Sequence, residues 1–242
     1  MEYPEGAPVV VPDRLRGRPD VQPALCQNGC AHCVVACPSK AILGTGADLA
    51  LDMGRCLFCG DCERVCPTGA IRFTNEYRLA ARCREDLILR GQKFNIATPL
   101  VGDLRDLFAW SFKLRQVSAG GCNACEADIN VLGTIGWDLG RFGIQVVASP
   151  RHADALVVTG PVPHQMKLAL EKTFAAVPTP RLVIAVGACA IAGGPFIDHP
   201  EVNNGASSTV PVALFIPGCP PHPLTILDGF LRLLGRLPPE VA

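Results

Sequence analysis

The sequence predicts an α/β fold, a doubly wound parallel sheet, carried behind a small cysteine-rich module at the amino end. Three observations predict it. From residue 113 onward short continuous apolar runs alternate with helical stretches, Gly or Pro bounds each run, and cysteines crowd the first third of the chain. At 242 residues the chain is long enough for one large domain and one small one.

Residues 1–20 are rich in proline and charge (Pro4, Pro8, Pro12, Pro19; Arg14, Arg16, Arg18) with little apolar periodicity. They read as an extended arm lying across a partner. Residues 21–75 contain two cysteine runs, Cys26, Cys30, Cys33, Cys37 before Pro38, and Cys56, Cys59, Cys62, Cys66 before Pro67. The second run repeats the first: Cys-Pro-Ser-Lys-Ala-Ile at 37–42 returns as Cys-Pro-Thr-Gly-Ala-Ile at 66–71, and three of the four cysteines recur 29 positions later. A 4Fe-4S cluster needs four thiolates converging on a cube of iron and sulfide, and closely spaced runs ending in Cys-Pro are the signature of a two-cluster bacterial ferredoxin, an α+β domain. In such modules the fourth cysteine of each run crosses to the other cluster. The spacing therefore predicts Cys26, Cys30, Cys33 and Cys66 on one cluster and Cys56, Cys59, Cys62 and Cys37 on the other. The first run departs from the usual spacing, with three residues between Cys26 and Cys30, and Gly29 can absorb the extra residue in a reshaped loop. A zinc ribbon or free thiols is the competing reading.

Residues 76–112 hold few turn-formers before Pro99 and end in Leu104, Leu107, Phe108, Trp110 and Phe112. They predict an amphipathic connector, divided at Pro99, that packs the small module onto the large one. Cys83 lies here between two arginines, away from any partner cysteine, and reads as a small packing residue.

In residues 113–242 the runs 145–148, 155–159, 182–186 and 212–216 suit central strands of a parallel sheet buried on both faces. Helices are expected at 125–139, 164–176 and 224–235. The alternation predicts a flavodoxin-like doubly wound sheet. Cys189 follows the strand ending at Val186, Cys219 follows the strand ending at Ile216, and Cys122 and Cys125 follow the apolar segment near Leu114 to Val117. Sites in open α/β sheets form outside the carboxyl ends of the strands, so these four cysteines are expected to meet at one edge as a third quartet.

Composition narrows the setting. Lys+Arg and Asp+Glu both number 22, and no basic stripe interleaved with aromatics appears, which excludes the footprint of a nucleic-acid binder. The chain opens without a cationic or apolar leader, which argues for metal binding in a reducing compartment over a disulfide framework. The longest apolar run, residues 182–197, is broken by Gly187, Gly193, Gly194 and Pro195 and does not predict a membrane span. No Gly-x-Gly-x-x-Gly opens a helix after the first strand, so neither nicotinamide nor flavin is expected.

Four motifs in order carry a resemblance: Gly121-Cys122-Asn123-Ala124-Cys125-Glu126, Ala148 to Asp154, Val186-Gly187-Ala188-Cys189, and Pro217-Gly218-Cys219-Pro220-Pro221. Over residues 113–235 the chain resembles the small subunit of energy-converting (group 4) nickel-iron hydrogenases. That family is related to formate hydrogenlyase and to the B-type subunit of NADH:quinone oxidoreductase. The resemblance implies that Cys122, Cys125, Cys189 and Cys219 hold a 4Fe-4S cluster proximal to the catalytic centre of a partner large subunit. The quinone-reductase branch carries two adjacent cysteines at the first position, whereas here two residues separate them, which favours the hydrogenase branch. The two-cluster module, often a separate subunit, is fused here, giving three 4Fe-4S clusters on one chain.

Single residues carry sharper and plainer readings. Glu126, next to a cluster ligand, is a candidate for a proton route toward the subunit interface, or the first-turn acid of a helix. Arg151 and His152 set the field around the cluster, contact the large subunit, or form a strand-to-loop pair. His222 reads as a rigid loop residue. Gly187, Gly193, Gly194 and Gly218 are expected to let the backbone approach the cluster and offer N–H groups to its sulfurs.

The expected function follows. The chain is an electron-transfer subunit of a membrane-associated oxidoreductase, a nickel-iron hydrogenase, on the inner face of the cytoplasmic membrane. Expected partners are the hydrogenase large subunit, which holds the catalytic metal, membrane-embedded ion-translocating subunits, and an electron-donor subunit or soluble ferredoxin. The alternatives are a cluster-bearing subunit of an NADH:quinone oxidoreductase-like complex, and a non-catalytic electron-transfer module of a hydrogenase-related complex lacking nickel.

Overall fold

The computed structural model of the chain describes residues 3–6 and 9–237. The first module is built on the internal repeat: β1 (Pro19–Val21), α1 (His32–Ala36) and β2 (Ile42–Leu43), then β3 (Ala50–Asp52), α2 (Asp61–Val65) and β4 (Ile71–Phe73). β1 pairs antiparallel with β4, setting Val21 opposite Ile71, while β2 pairs with β3. The strand from the arm thus closes on the last strand of the module, and the two short helices lie against each other. β1 opens at Pro19, inside the stretch expected to be an arm.

Residues 76–112 run between the modules with little regular structure before residue 103 and make contacts on both sides. Ala81 bridges Phe215 antiparallel, and β5 (Ile88–Leu89) adds a third strand beside β3. Ala97 donates its N–H to Ala80 O and Leu100 donates to Leu233 O, so the segment folds back across the second module. Gly102 ends it, and α3 (Asp103–Phe108) buries Phe108. Arg84 links the segment to the first module through a bidentate pair with Asp52, at 2.8 and 2.7 Å. The same Asp52 accepts the N–H of Gly54 at 2.9 Å, which shapes the turn leading to Cys56.

The second module is a five-stranded parallel sheet of β6 (Phe112–Ser118), β7 (Ile144–Val146), β8 (Ala155–Thr159), β9 (Leu182–Val186) and β10 (Leu214–Ile216). Its spatial order is β10-β9-β8-β6-β7, the flavodoxin-like order in which the chain winds outward from β6 in both directions. The expectation of a doubly wound sheet holds. Alternate residues face opposite ways: Leu114, Val157, Ile184 and Ile216 join one core, and Val117, Val158, Ala185 and Phe215 the other. Both faces are buried, which is why the strands read as unbroken apolar runs rather than alternating ones.

α4 (Ala124–Val131) and α7 (Pro223–Leu233) cover the first face, whereas α5 (His164–Ala176) and α6 (Ala188–Ala192) cover the second. The apolar core of the first module, including Val21, Leu51 and Ile71, is continuous with that second face. α4 is shorter than the expected 125–139. After Val131 the chain turns through Gly133 and Gly136 and reaches Asp138 at a φ of 47°, a backbone no helix continues through.

Every residue of α7 is buried, including Asp228 and Arg232, which pair at 2.7 Å one turn apart. The hydroxyl of Tyr3 donates to Asp228 at 2.8 Å and Arg141 donates to the Tyr3 carbonyl at 2.6 Å, so the start of the arm is pinned on this helix.

Candidate iron-sulfur sites

None of the thirteen cysteines forms a disulfide, and twelve of them fall into three groups in space. Cys26, Cys30, Cys33 and Cys66 line one small cavity together with Leu49, Ala70 and Ile71. Burial pushes the Cys33 thiol up, and the nearby sulfurs of Cys66 and Cys26 push it further. The second group forms around Cys62. Burial, then the nearness of Cys37 and Cys59, raises its thiol to about 12. Cys56 is raised in the same way, by burial and then by Cys62, Cys37 and Cys59, against a hydrogen bond from Phe58. Cys26, Cys30, Cys33 and Cys66 thus lie around one cavity, and Cys62 lies near Cys37 and Cys59.

Local structure repeats along with the sequence. The N–H of Ala41 donates to Cys37 Sγ and that of Ala70 to Cys66 Sγ, each at 3.2 Å. Gly46 donates to Cys26 Sγ at 3.2 Å and Phe58 to Cys56 Sγ at 3.3 Å. Such N–H···S bonds stabilise charge on a cluster's sulfurs and raise its reduction potential. Sequence reasoning named none of these donors, although the repeated Cys-Pro-x-x-Ala was the signal for Ala41 and Ala70.

The third group lies beyond the carboxyl ends of β6, β9 and β10. Cys125 is raised by burial, then by Cys189, Glu126, Cys219 and Cys122. Cys189 reaches about 11 through burial, Cys219 and Cys122. Close approach depends on two glycines. At Gly187, with φ of 89°, a Cβ would lie 2.5 Å from Cys125 Sγ, and at Gly194 a Cβ would lie 2.6 Å from Cys189 Sγ. The expected N–H donation to sulfur is corrected at two positions, since Gly187 donates to Ile216 O and Gly193 to Cys189 O.

Each quartet offers the four thiolates that a 4Fe-4S cluster takes. Among the described residues no group of three His, Cys, Asp or Glu side chains is placed to hold one metal ion. Zinc draws its sulfurs in to about 2.3 Å, whereas a cube of irons and sulfides holds them apart. Four thiolates gathered at one site repel one another, and bound iron would offset that repulsion.

A family model described as NADH ubiquinone oxidoreductase, 20 kDa subunit, matches residues 122–233, and one described as a 4Fe-4S dicluster domain matches residues 25–70. The protein named "Probable membrane-bound hydrogenase subunit mbhJ" from Pyrococcus furiosus is 40% identical over 139 residues, covering 54% of this chain and 81% of that protein. The chain belongs to the 20 kDa subunit family. Formate hydrogenlyase subunit 7 of Escherichia coli is 43% identical over 126 residues, 52% of this chain and 49% of that protein. The B-type subunit of the NADH-quinone oxidoreductase of Heliobacterium modesticaldum is 37% identical over 120 residues, 49% of this chain and 69% of that protein. This 20 kDa-type subunit is an iron-sulfur electron-transfer subunit of the kind found in hydrogenase and NADH-quinone oxidoreductase complexes, with a 4Fe-4S dicluster domain in the same chain. No helix among its described residues is long and apolar enough to cross a membrane.

In the 20 kDa-type domain Glu126 is buried at the first turn of α4. It accepts hydrogen bonds from the Ser118 and Thr159 hydroxyls, each at 2.6 Å. Burial alone would raise its pKa, but these two donors outweigh it and hold the carboxyl below the usual range. That direction runs away from the neutral-pH tuning a proton route would draw on. Glu126 instead ties the carboxyl ends of β6 and β8 together, closing the crevice between them where the winding direction reverses.

Arg151 and His152 require a correction. They sit in the turn 150–152 before β8, beside Lys113 and the segment 178–180 that leads into β9. That is the amino-terminal end of the sheet, opposite the cysteines, so they do not set the field around the third quartet. His222 does more than stiffen its loop: its Nδ1 accepts the N–H of Leu224 at 3.2 Å and caps α7, while the ring stands edge-on to Trp137.

Cys83 is exposed, which corrects the packing reading, and no cysteine quartet includes it. Cys83→Ala is expected to retain full iron and an unchanged visible spectrum. Cys59→Ala is expected to lose one cluster, about four irons. Iron analysis of the two variants side by side checks the pair, and equal losses would break the partition of the thirteen cysteines.

Proposed function

We propose that the chain carries three 4Fe-4S clusters and conducts electrons between a donor and the catalytic centre of a large subunit in a membrane-associated nickel-iron hydrogenase complex. Cys26, Cys30, Cys33 and Cys66 hold the first cluster, Cys56, Cys59, Cys62 and Cys37 the second, and Cys122, Cys125, Cys189 and Cys219 the third. A bound 4Fe-4S cluster supplies one-electron storage without a change of ligands.

The observation that carries this reading is the cleft in which Leu57 and Phe58, between Cys56 and Cys59, meet Cys219. The nearness of Cys59 contributes to the raised pKa of Cys219, after burial and Cys122. The second and third quartets therefore adjoin, and Cys62 feels Cys33 of the first. The three sites form a row across both modules. Asp52, Arg84 and Gly54 keep that row rigid: a Cβ on Gly54 would meet both the Arg84 guanidinium and Ile191 of α6 at 2.8 Å. At the far end Cys122 and Cys219 are exposed, an edge suited to cover by the large subunit.

Two residues between Cys122 and Cys125 favour the hydrogenase branch over the quinone-reductase branch. Inspecting the partner large subunit for two Cys-x-x-Cys pairs separates a nickel enzyme from relatives without that metal, because nickel requires soft thiolates. The cluster count is checked by iron and sulfide analysis of anaerobically purified complex, with about twelve irons per chain expected. A value near eight in fully reconstituted protein would leave a two-cluster carrier.

A further inference from the structure

We infer that Arg16 tunes the second cluster electrostatically, its guanidinium being clamped by the amino-terminal arm against the Cys59–Cys62 loop where that loop meets Cys219. The inference rests on the proposed assignment of Cys56, Cys59, Cys62 and Cys37 to one cluster.

The clamp is built from backbone. Gly17 donates its N–H to Thr74 O at 2.7 Å and Arg18 donates to Glu76 O at 2.7 Å. A Cβ on Gly17 would lie 2.1 Å from Glu76 O, so nothing larger than glycine fits there. Arg18 adds a cation–π contact over Phe94, 5.4 Å from the ring centroid. Arg16, the residue before the clamp, then has little freedom in where its side chain begins. Its guanidinium lies on Gly60, where a Cβ would come within 2.9 Å of Nε. Gly60 takes a φ of 80° and stands between Cys59 and Asp61.

Among the described residues no carboxylate forms an ion pair with Arg16. Asp61, the nearest acid in sequence to Gly60, is paired with Arg64. The cleft that Arg16 lines also contains Arg14, Asp128 and His222, together with Phe58 and Cys219. Asp128 shares that cleft with His222, whose positive charge works against the rise that burial causes at its carboxyl. An added electron makes a cluster more negative, and a fixed cation beside its ligand loop stabilises that state. The plainer role is a clasp, in which the flat guanidinium only packs on the Gly60 peptide.

The two roles separate in a redox titration of the full chain in its complex, followed by electron paramagnetic resonance. Arg16→Gln and Arg16→Met are expected to lower the reduced-to-oxidised ratio of the second cluster about threefold to tenfold at fixed potential. Tenfold corresponds to about 59 mV for one electron. Arg16→Lys is expected to keep most of the wild-type potential, and Arg14→Gln, in the same cleft but not against the loop, to leave it in place. High salt should shrink the difference, because the side chain is partly exposed. Identical potentials in wild type and Arg16→Gln, or an Arg16→Lys shift as large as that of Arg16→Gln, would overturn the inference. So would loss of the cluster in both Arg16→Gln and Arg16→Met, which would mark a clasp. Absence of the second cluster from the wild type would instead remove the assignment beneath it.

Discussion

Cys189→Ala is expected to leave the third quartet without its cluster and to cut electron flow from the dicluster module to the large subunit by about a hundredfold or more. The loss is large because Cys189 stands beyond the carboxyl end of β9, where burial and the neighbouring sulfurs of Cys219 and Cys122 all act on it. With three thiolates remaining the cube has an open corner, and the cysteine that adjoins the quartet, Cys59, is committed to the second one. The first two clusters draw on other elements and should remain, with their resonance signals intact. The measurement is electron paramagnetic resonance of the reduced complex, paired with turnover from the donor side and from an artificial dye at the large subunit. Retained donor-driven turnover would remove the third quartet from the conduction route.

Gly187→Ala is expected to produce nearly the same loss without touching a ligand. The new methyl would lie 2.5 Å from Cys125 Sγ, and the backbone φ of 89° disfavours any side chain. Strain in that region costs of order 1–3 kcal/mol. Collision with a sulfur adds to it, since Gly187 is locked by its own bond to Ile216 O and cannot retreat. Gly91→Ala is the control, with φ of 79° and nothing within 4 Å of the added Cβ. It should lose about 1 kcal/mol and keep all of its iron. Denaturant unfolding and iron content of both variants separate backbone strain from the clash. Full iron in Gly187→Ala would mean that the loop after β9 yields more readily than its contacts imply.

The legible parts were those with local periods. The runs at 155–159 and 182–186 appear as β8 and β9 at those bounds, because a strand buried on both faces has no polar positions to blur it. The helix expected at 164–176 is α5. Illegible parts were those decided by distant partners. β5 holds two residues and exists because β3 offers a free edge. The end of α4 depends on glycines that by themselves only weaken a helix. Arg151 and His152 lie between two strands in sequence, and only the shortness of β7, which pairs with the first half of β6, shows that the turn after it stays at the amino-terminal end of the sheet.

Twelve cysteines in three sets, a repeat among the first eight of them, and a doubly wound α/β sheet behind them could all be read from the order of residues. Spacing and periodicity are properties of a few consecutive positions, and they survive any arrangement of the modules. Three further facts needed the folded chain: that Leu57 and Phe58, beside Cys59, share a cleft with Cys219, that Glu126 accepts hydrogen bonds from both β6 and β8, and that the arm delivers Arg16 to the junction. Each of those depends on the register of parallel strands and on one module's core continuing into a face of the other's sheet. Such contacts join residues far apart in the chain, and no short window of sequence contains both partners.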